Sequence, residues 1–188
     1  MEQSLRGRKV AILVAHGFEQ VELTEPRQAL QEAGAETHLV SPEPETVKGW
    51  NSTEWAEEFP VEVRLEEARP EEYDALLLPG GVLNPDRLRM NREAVSFVKA
   101  FVSEQKPVAV ICHGPWTLVE ADVVNGRRLT SWPSLRTDLE NAGAEWVDEP
   151  VVVDQGLVSS RKPDDIPQFN ARMIEVFQAG RHHARQAA

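Results

Sequence analysis

The 188-residue chain has a single cysteine, Cys112, placed where the apolar run Val108–Ile111 stops and His113-Gly114-Pro115 begins. A lone cysteine is ordinarily a small buried hydrophobe. Position argues for more: a thiol between a strand and the first turn of a helix meets free backbone N–H groups and the positive end of the helix dipole, which favour thiolate. The same strand, nucleophile and helix order exposes the nucleophile of α/β hydrolases. His113 supplies an adjacent base. Gly80-Gly81 closes the apolar run Ala75–Leu78 and could aim backbone N–H groups into a cleft as an oxyanion hole, although Pro-Gly-Gly alone is only a turn signal. Glu19 and Glu22 follow the first apolar run. Glu19 is accounted for as an acidic partner of a helix N-terminus, whereas Glu22, flanked by Val21 and Leu23, is expected to turn inward toward the strand ends. The chemistry indicated is nucleophilic attack by a thiol assisted by a base and a carboxyl group.

Elements that could position these residues alternate along the chain. An apolar β-branched run over 9–14 precedes helical spacing over 21–33, stopped by Gly34; a second strand over 37–40 ends at Ser41-Pro42-Glu43-Pro44. Residues 59–65 alternate as a half-buried strand or hairpin arm, and the polar stretch before them, with Gly49, shows neither period and reads as irregular. Strands at Ala75–Leu78 and Val108–Ile111 bracket an amphipathic helix over 95–102, and a helix over 117–121 follows the second. Further on come a strand over 129–132, a helix over 134–141 stopped by Gly143, strands near 146–147, 151–153 and 157–159, and a closing helix over 164–177. Asp154-Gln155-Gly156 reads as a hairpin turn. Short apolar strands alternating with helices predict a parallel sheet covered on both faces, with its ligand site at the carboxyl ends of the strands. His16, Gly80-Gly81 and Cys112 all fall at such ends.

Length and composition agree with one globular domain over 1–188, with an ordered core of about 8–178: the hydrophobic fraction, 41%, is too high for a disordered chain. The apolar run over 10–15 is too short for a signal peptide or a membrane span, and one cysteine allows neither a disulfide framework nor a Cys-x-x-Cys site, so a cytoplasmic protein is expected. Asn51-Ser52-Thr53 is then a loop rather than a glycosylation site. A net charge of −11 opposes binding to nucleic acid or anionic membranes; the basic clusters, Arg6-Gly7-Arg8-Lys9 and residues 181–185, read as solvated ends. His182 and His183, being adjacent, diverge on a helix and make a poor metal pair. Gly-x-Gly-x-x-Gly and Gly-x-x-x-x-Gly-Lys loops are lacking, so no cofactor is indicated.

Gly17-Phe18-Glu19-Gln20-Val21-Glu22-Leu23, Leu78-Pro79-Gly80-Gly81, Ala109-Val110-Ile111-Cys112-His113-Gly114-Pro115, Leu129-Thr130-Ser131-Trp132-Pro133 and Val158-Ser159-Ser160-Arg161-Lys162-Pro163 together resemble the PfpI, or intracellular protease I, branch of the class I glutamine amidotransferase-like superfamily, which is related to the parkinsonism-associated deglycase. The resemblance runs from Lys9 to Phe177 with the motifs in order. It implies a flavodoxin-like three-layer α/β sandwich, mostly parallel, assembled as a dimer or higher oligomer. By motif position, Cys112 resembles the nucleophile on a strained elbow, Glu22 the carboxyl that hydrogen-bonds its sulfur, His113 the base, and the N–H groups of Gly81 and His113 the oxyanion donors. His16, Glu19, Gly80 and Trp132 are expected around the substrate pocket. Asp86 stands where relatives place an acid that reaches His113 of another subunit; as a shorter residue than the Glu of some relatives it reads equally as a helix N-cap. Trp132 stands where some relatives have Tyr. True glutamine amidotransferases need a downstream His-x-Glu pair, which this chain lacks. The resemblance therefore implies a cysteine-dependent stress-response hydrolase or lyase acting on small carbonyl compounds and on glycated amines or peptides, with an intracellular cysteine peptidase and a non-enzymatic redox sensor or chaperone as alternatives.

Overall fold

A computed structural model describes residues 4–182. The chain runs β1 (Lys9–Leu13), β2 (Phe18–Glu19), α1 (Gln20–Glu32), β3 (Glu36–Ser41), β4 (Thr46–Asn51), β5 (Glu54–Pro60), β6 (Val63–Arg64), β7 (Ala75–Leu78), α2 (Leu83–Leu88), α3 (Arg92–Ser103), β8 (Val108–Ile111), α4 (Pro115–Glu120), β9 (Arg128–Leu129), α5 (Arg136–Asn141), β10 (Glu145–Trp146), β11 (Val151–Asp154), β12 (Leu157–Ser160) and α6 (Ile166–Ala179).

Seven strands form the main sheet in the order β11-β12-β8-β7-β1-β3-β6. Every pairing is parallel except the hairpin of β11 with β12. Read over β1, β3, β7, β8 and β12, the spatial order is second, first, third, fourth, fifth, the flavodoxin-like winding, whose ligand crevice opens where the order reverses between β1 and β7. All four residues of β7 and of β8 are buried, as expected for central parallel strands with both faces covered. Alternate residues supply two cores. Leu76, Leu78, Val108 and Val110 pack with Phe97 and Phe101 of α3 and Leu118 of α4; Ile12, Leu77, Ala109 and Ile111 pack with Leu23 and Leu30 of α1 and Phe169 and Met173 of α6. Burying methylene groups at roughly 25 cal/mol per Å² on both faces makes this sheet the rigid part of the molecule, and the candidate site sits on its rim.

The stretch read as irregular is instead a hairpin. β4 and β5 pair antiparallel and, with β2, make a separate three-stranded sheet. Its signal is weak in sequence because a register shift between Lys48 and Trp50 breaks the alternation and most of β5 is exposed. The cross-strand pair Trp50 and Trp55, edge to face at 5.2 Å, and Phe18 against Phe59 at 5.8 Å hold it. The strand expected over 59–65 accordingly divides between the end of β5, β6 and a 3₁₀ turn over Leu65–Glu67. β9 and β10 pair as strands only with each other, while β9 packs against β11 and β12 of the main sheet. His183 and the tail through residue 185 lie outside the described residues.

Candidate functional site

β8 ends at Ile111 and the chain turns sharply at Cys112, whose φ of 64° is left-handed, a conformation that costs a non-glycine residue about 1–3 kcal/mol. Two long-range hydrogen bonds hold it there: Cys112 N–H donates to the Ser160 carbonyl on β12 at 3.0 Å, and Trp132 N–H donates to the Cys112 carbonyl at 2.9 Å. Gly80 follows β7, the neighbour of β8, and has no room for a side chain. A Cβ there would lie 2.5 Å from Glu22 Oε2 and 2.7 Å from Cys112 Cβ. Gly81 adopts φ 75°, and a Cβ would come within 2.5 Å of the Gly17 carbonyl. The two glycines thus allow β7, the start of α1 and the elbow to close on one sulfur atom.

Cys112 Sγ lies 3.1 Å from His113 Nδ1. Glu22 projects from the first turn of α1 and is fully buried; its Oε2 accepts the Gly80 N–H at 2.8 Å. Oε1 has no partner of full hydrogen-bond geometry, and the side chain with which the carboxyl interacts most strongly is the Cys112 thiol. Burial raises the Glu22 pKa to about 8, against the pull of Cys112 and of the Gly80 N–H. At neutral pH Glu22 therefore carries a proton. Burial, and next the charge that Glu22 would carry if ionised, push the Cys112 thiol up, while the backbone N–H groups of Gly81 and His113 pull it down. The balance is upward, so the expected lowering by a helix dipole is overturned: α4 is only six residues long and the thiol is 7% exposed. Thiolate is favoured only while Glu22 stays neutral and offers its proton to sulfur. His113, also buried, has its pKa lowered to about 4 by desolvation, so its ring is neutral and can accept a proton.

A cleft of about 880 Å³ opens above the sulfur, lined by Glu19, Glu22, Gly81, Cys112, His113 and Trp132 among the expected residues. Trp132 is 39% exposed and stacks on the His113 ring with centroids 6.0 Å apart. Glu19 precedes α1 but caps no helix N–H; its carboxylate accepts the Ser52 N–H at 3.2 Å, and burial raises its pKa. Gly80 lies beneath the cleft rather than in its wall. His16 faces elsewhere, its Nδ1 accepting the Lys48 N–H at 3.0 Å and its Nε2 lying 3.5 Å from Glu43, so the expectation that it borders the pocket is corrected. Nor is Asp86 an N-cap: Val82 holds that position, and Asp86, inside α2, accepts hydrogen bonds from Arg89 at 2.9 and 3.2 Å. Within the chain no hydrogen bond or ion pair joins it to His113. Sequence reasoning missed Trp50 and Ser52, brought in by the unforeseen hairpin, and Val82, Leu83, Lys162 and Asp164. Lys162 lay in a quoted motif, but the side to which it turns is fixed only by the fold. Among the described residues no group of three or more His, Cys, Asp or Glu could hold a metal, and no helix is long and apolar enough to cross a membrane.

The model of the DJ-1/PfpI family matches residues 8–176. The chain belongs to the DJ-1/PfpI family. It is 44% identical over 174 residues to General stress protein 18 of Bacillus subtilis, covering 92% of this chain and 99% of that one. Among solved structures it resembles a two-domain protein with DJ-1/ThiJ/PfpI-like and ferritin-like domains from Anabaena variabilis, at 34% identity and TM-score 0.83; the match takes in 89% of this chain and 47% of that one. Schizosaccharomyces pombe DJ-1 matches at 25% identity and TM-score 0.79 over 91% of this chain and 95% of its own. The DJ-1/PfpI assignment agrees with the mostly parallel sheet and with the order of the motifs.

Proposed function

We propose that the protein is a stress-response hydrolase or lyase that uses Cys112 on reactive carbonyl compounds or early glycation adducts, and that it works in the cytoplasm as a homo-oligomer. The observation that carries this reading is Cys112 Sγ, 3.1 Å from a neutral His113 ring nitrogen and beside the protonated Glu22, at the floor of a cleft. The name of the Bacillus relative supports a stress role, and the family includes proteases and deglycases.

With a 2-oxoaldehyde, the sulfur of Cys112 adds to the aldehyde carbon. A carbon–sulfur bond forms, the carbonyl π pair moves to oxygen, and a proton supplied from the site gives a hemithioacetal. The N–H groups of Gly81 and His113 stabilise the oxyanion. His113 then takes the proton from the hemithioacetal carbon and returns one to the adjacent former ketone carbon, leaving an α-hydroxy thioester. Water cleaves the thioester, releasing a hydroxy acid and the free thiol. No external oxidant is needed, because one carbon is oxidised as its neighbour is reduced.

Purified wild type and Cys112→Ser are to be incubated in parallel with methylglyoxal, a glycated peptide and an unmodified fluorogenic peptide. Product from the first two with wild type alone is the expected result. Cleavage of the unmodified peptide alone would make it a peptidase, and no turnover of any substrate would leave an oxidisable sensor thiol.

A further inference from the structure

Within its own chain His113 faces sulfur, and among the described residues its ring has no carboxylate as a hydrogen-bond partner. Its two large neighbours are aromatic. Trp132 stacks on one side, and Trp116 of α4 meets the ring edge-on at 5.2 Å and 63°. Trp116 is itself held from two directions: its indole Nε1–H donates to Asp138 of α5 at 2.9 Å, and the guanidinium of Arg89 lies 4.6 Å from its ring centroid. Arg89 is in turn fixed by Asp86 within α2, both of its hydrogen bonds ending on the same carboxylate oxygen.

We propose that Trp116 is a positioning residue for His113, and that Asp86 acts on the site within its own chain, by holding Arg89 over the Trp116 ring. The reasoning is steric and electrostatic. A ring closed in by two indoles cannot rotate its Nδ1 away from Cys112 without displacing one of them, and an apolar enclosure disfavours the imidazolium. The cation over Trp116 and the acceptor on its indole N–H fix the outer tryptophan, and so tie α2, α4 and α5 to the orientation of one catalytic ring. The proposal rests on the reading of Cys112 and His113 as the reacting pair, but its tests need no turnover.

Two readouts follow on the full-length protein: ¹⁵N shifts of the His113 ring across pH, and the rate of iodoacetamide alkylation of Cys112. Trp116→Leu is expected to move the His113 pKa up toward the ordinary 6.5 and to slow alkylation about tenfold, whereas Trp116→Phe, which keeps an aromatic edge, retains most of the wild-type behaviour. Should Trp116→Leu fail to fold, Arg89→Met carries the test, since Arg89 is partly exposed and outside both cores. Arg89→Met and Asp86→Asn should each slow alkylation by the same two- to fivefold, a loss about the size of one cation–π contact, and the double variant should be no worse than either. An unchanged His113 titration in folded Trp116→Leu, or in Arg89→Met where that variant replaces it, overturns the proposal. So does an effect of Asp86→Asn that Arg89→Met lacks, which would instead place Asp86 at a neighbouring subunit's His113. Failure of wild type to turn over any carbonyl substrate would refute the functional reading while leaving these measurements intact.

Discussion

Replacing Glu22 with Gln tests the protonation state on which the site depends. The carboxyl is fully buried, and its pKa rises from an ordinary 4.5 to about 8. Below pH 4.5 folded and unfolded chains both hold the proton, and native stability is complete. Between 4.5 and 8 the unfolded chain gives the proton up and the folded one keeps it, so stability falls as pH rises; above 8 the loss is complete. At about 1.4 kcal/mol per tenfold, the shift corresponds to a loss of as much as about 5 kcal/mol across that window, comparable with the total stability of a small domain. Urea unfolding between pH 5 and 9, in a Cys112→Ser background that removes the thiol's own titration, should show this slope with Glu22 present and a nearly flat profile with Gln. Parallel profiles would refute the raised pKa. The chemical counterpart is alkylation of Cys112 at pH 7, where a pKa of about 8 leaves roughly ten protonated Glu22 carboxyls for each ionised one. Gln still offers an N–H donor and should keep the rate within a few-fold of wild type, while Ala removes the donor and should lose about tenfold or more. Equal effects of Gln and Ala would refute a donor role.

Three shorter predictions accompany it. With His113 lowered to about 4 and therefore uncharged above that pH, the acid limb of the pH–rate profile should lie near 4; a limb between 6 and 7 would show an ordinary histidine instead. Gly80→Ala places a methyl group 2.5 Å from Glu22 Oε2 and should lower stability in chemical unfolding by about 1–3 kcal/mol while slowing alkylation of Cys112; wild-type values for both would contradict the packing described. Cys112→Ser should abolish turnover yet stay folded by circular dichroism, because a hydroxyl is close in shape to a thiol and the elbow is held by backbone hydrogen bonds to Ser160 and Trp132; residual turnover above about one-thousandth would implicate another nucleophile.

The parallel sheet was legible because burial on both faces leaves continuous apolar runs, and the ends of β7 and β8 coincide with those runs in the sequence. The β4–β5 hairpin was not, since its stability comes from Trp50 against Trp55 and Phe18 against Phe59, pairs separated in sequence and interrupted by a register shift. That omission hid part of the cleft, because Trp50 and Ser52 reach it from this hairpin. Glu22 could be singled out by its apolar flanks, which anticipate its burial. His16 could not be excluded: its position at a strand end is right, and only the Lys48 N–H and Glu43 reveal that its ring is engaged away from sulfur.

The sequence places Cys112 before a helix, and from that a dipole-lowered thiol follows; the structure instead pushes the thiol above its ordinary value. A six-residue helix carries a small dipole, whereas a buried sulfur pays desolvation in full, so the thiol rises unless something local offsets it. The local groups that pull it back down are the N–H donors of Gly81 and His113, delivered by the ends of two neighbouring strands. An ionised Glu22 would oppose thiolate, and a protonated one supports it, so the same burial that penalises the sulfur also makes its neighbour a donor. Reactivity at this elbow therefore depends on keeping water from Glu22 more than on exposing Cys112, and a side chain added at Gly80, which would displace Glu22, should weaken the nucleophile.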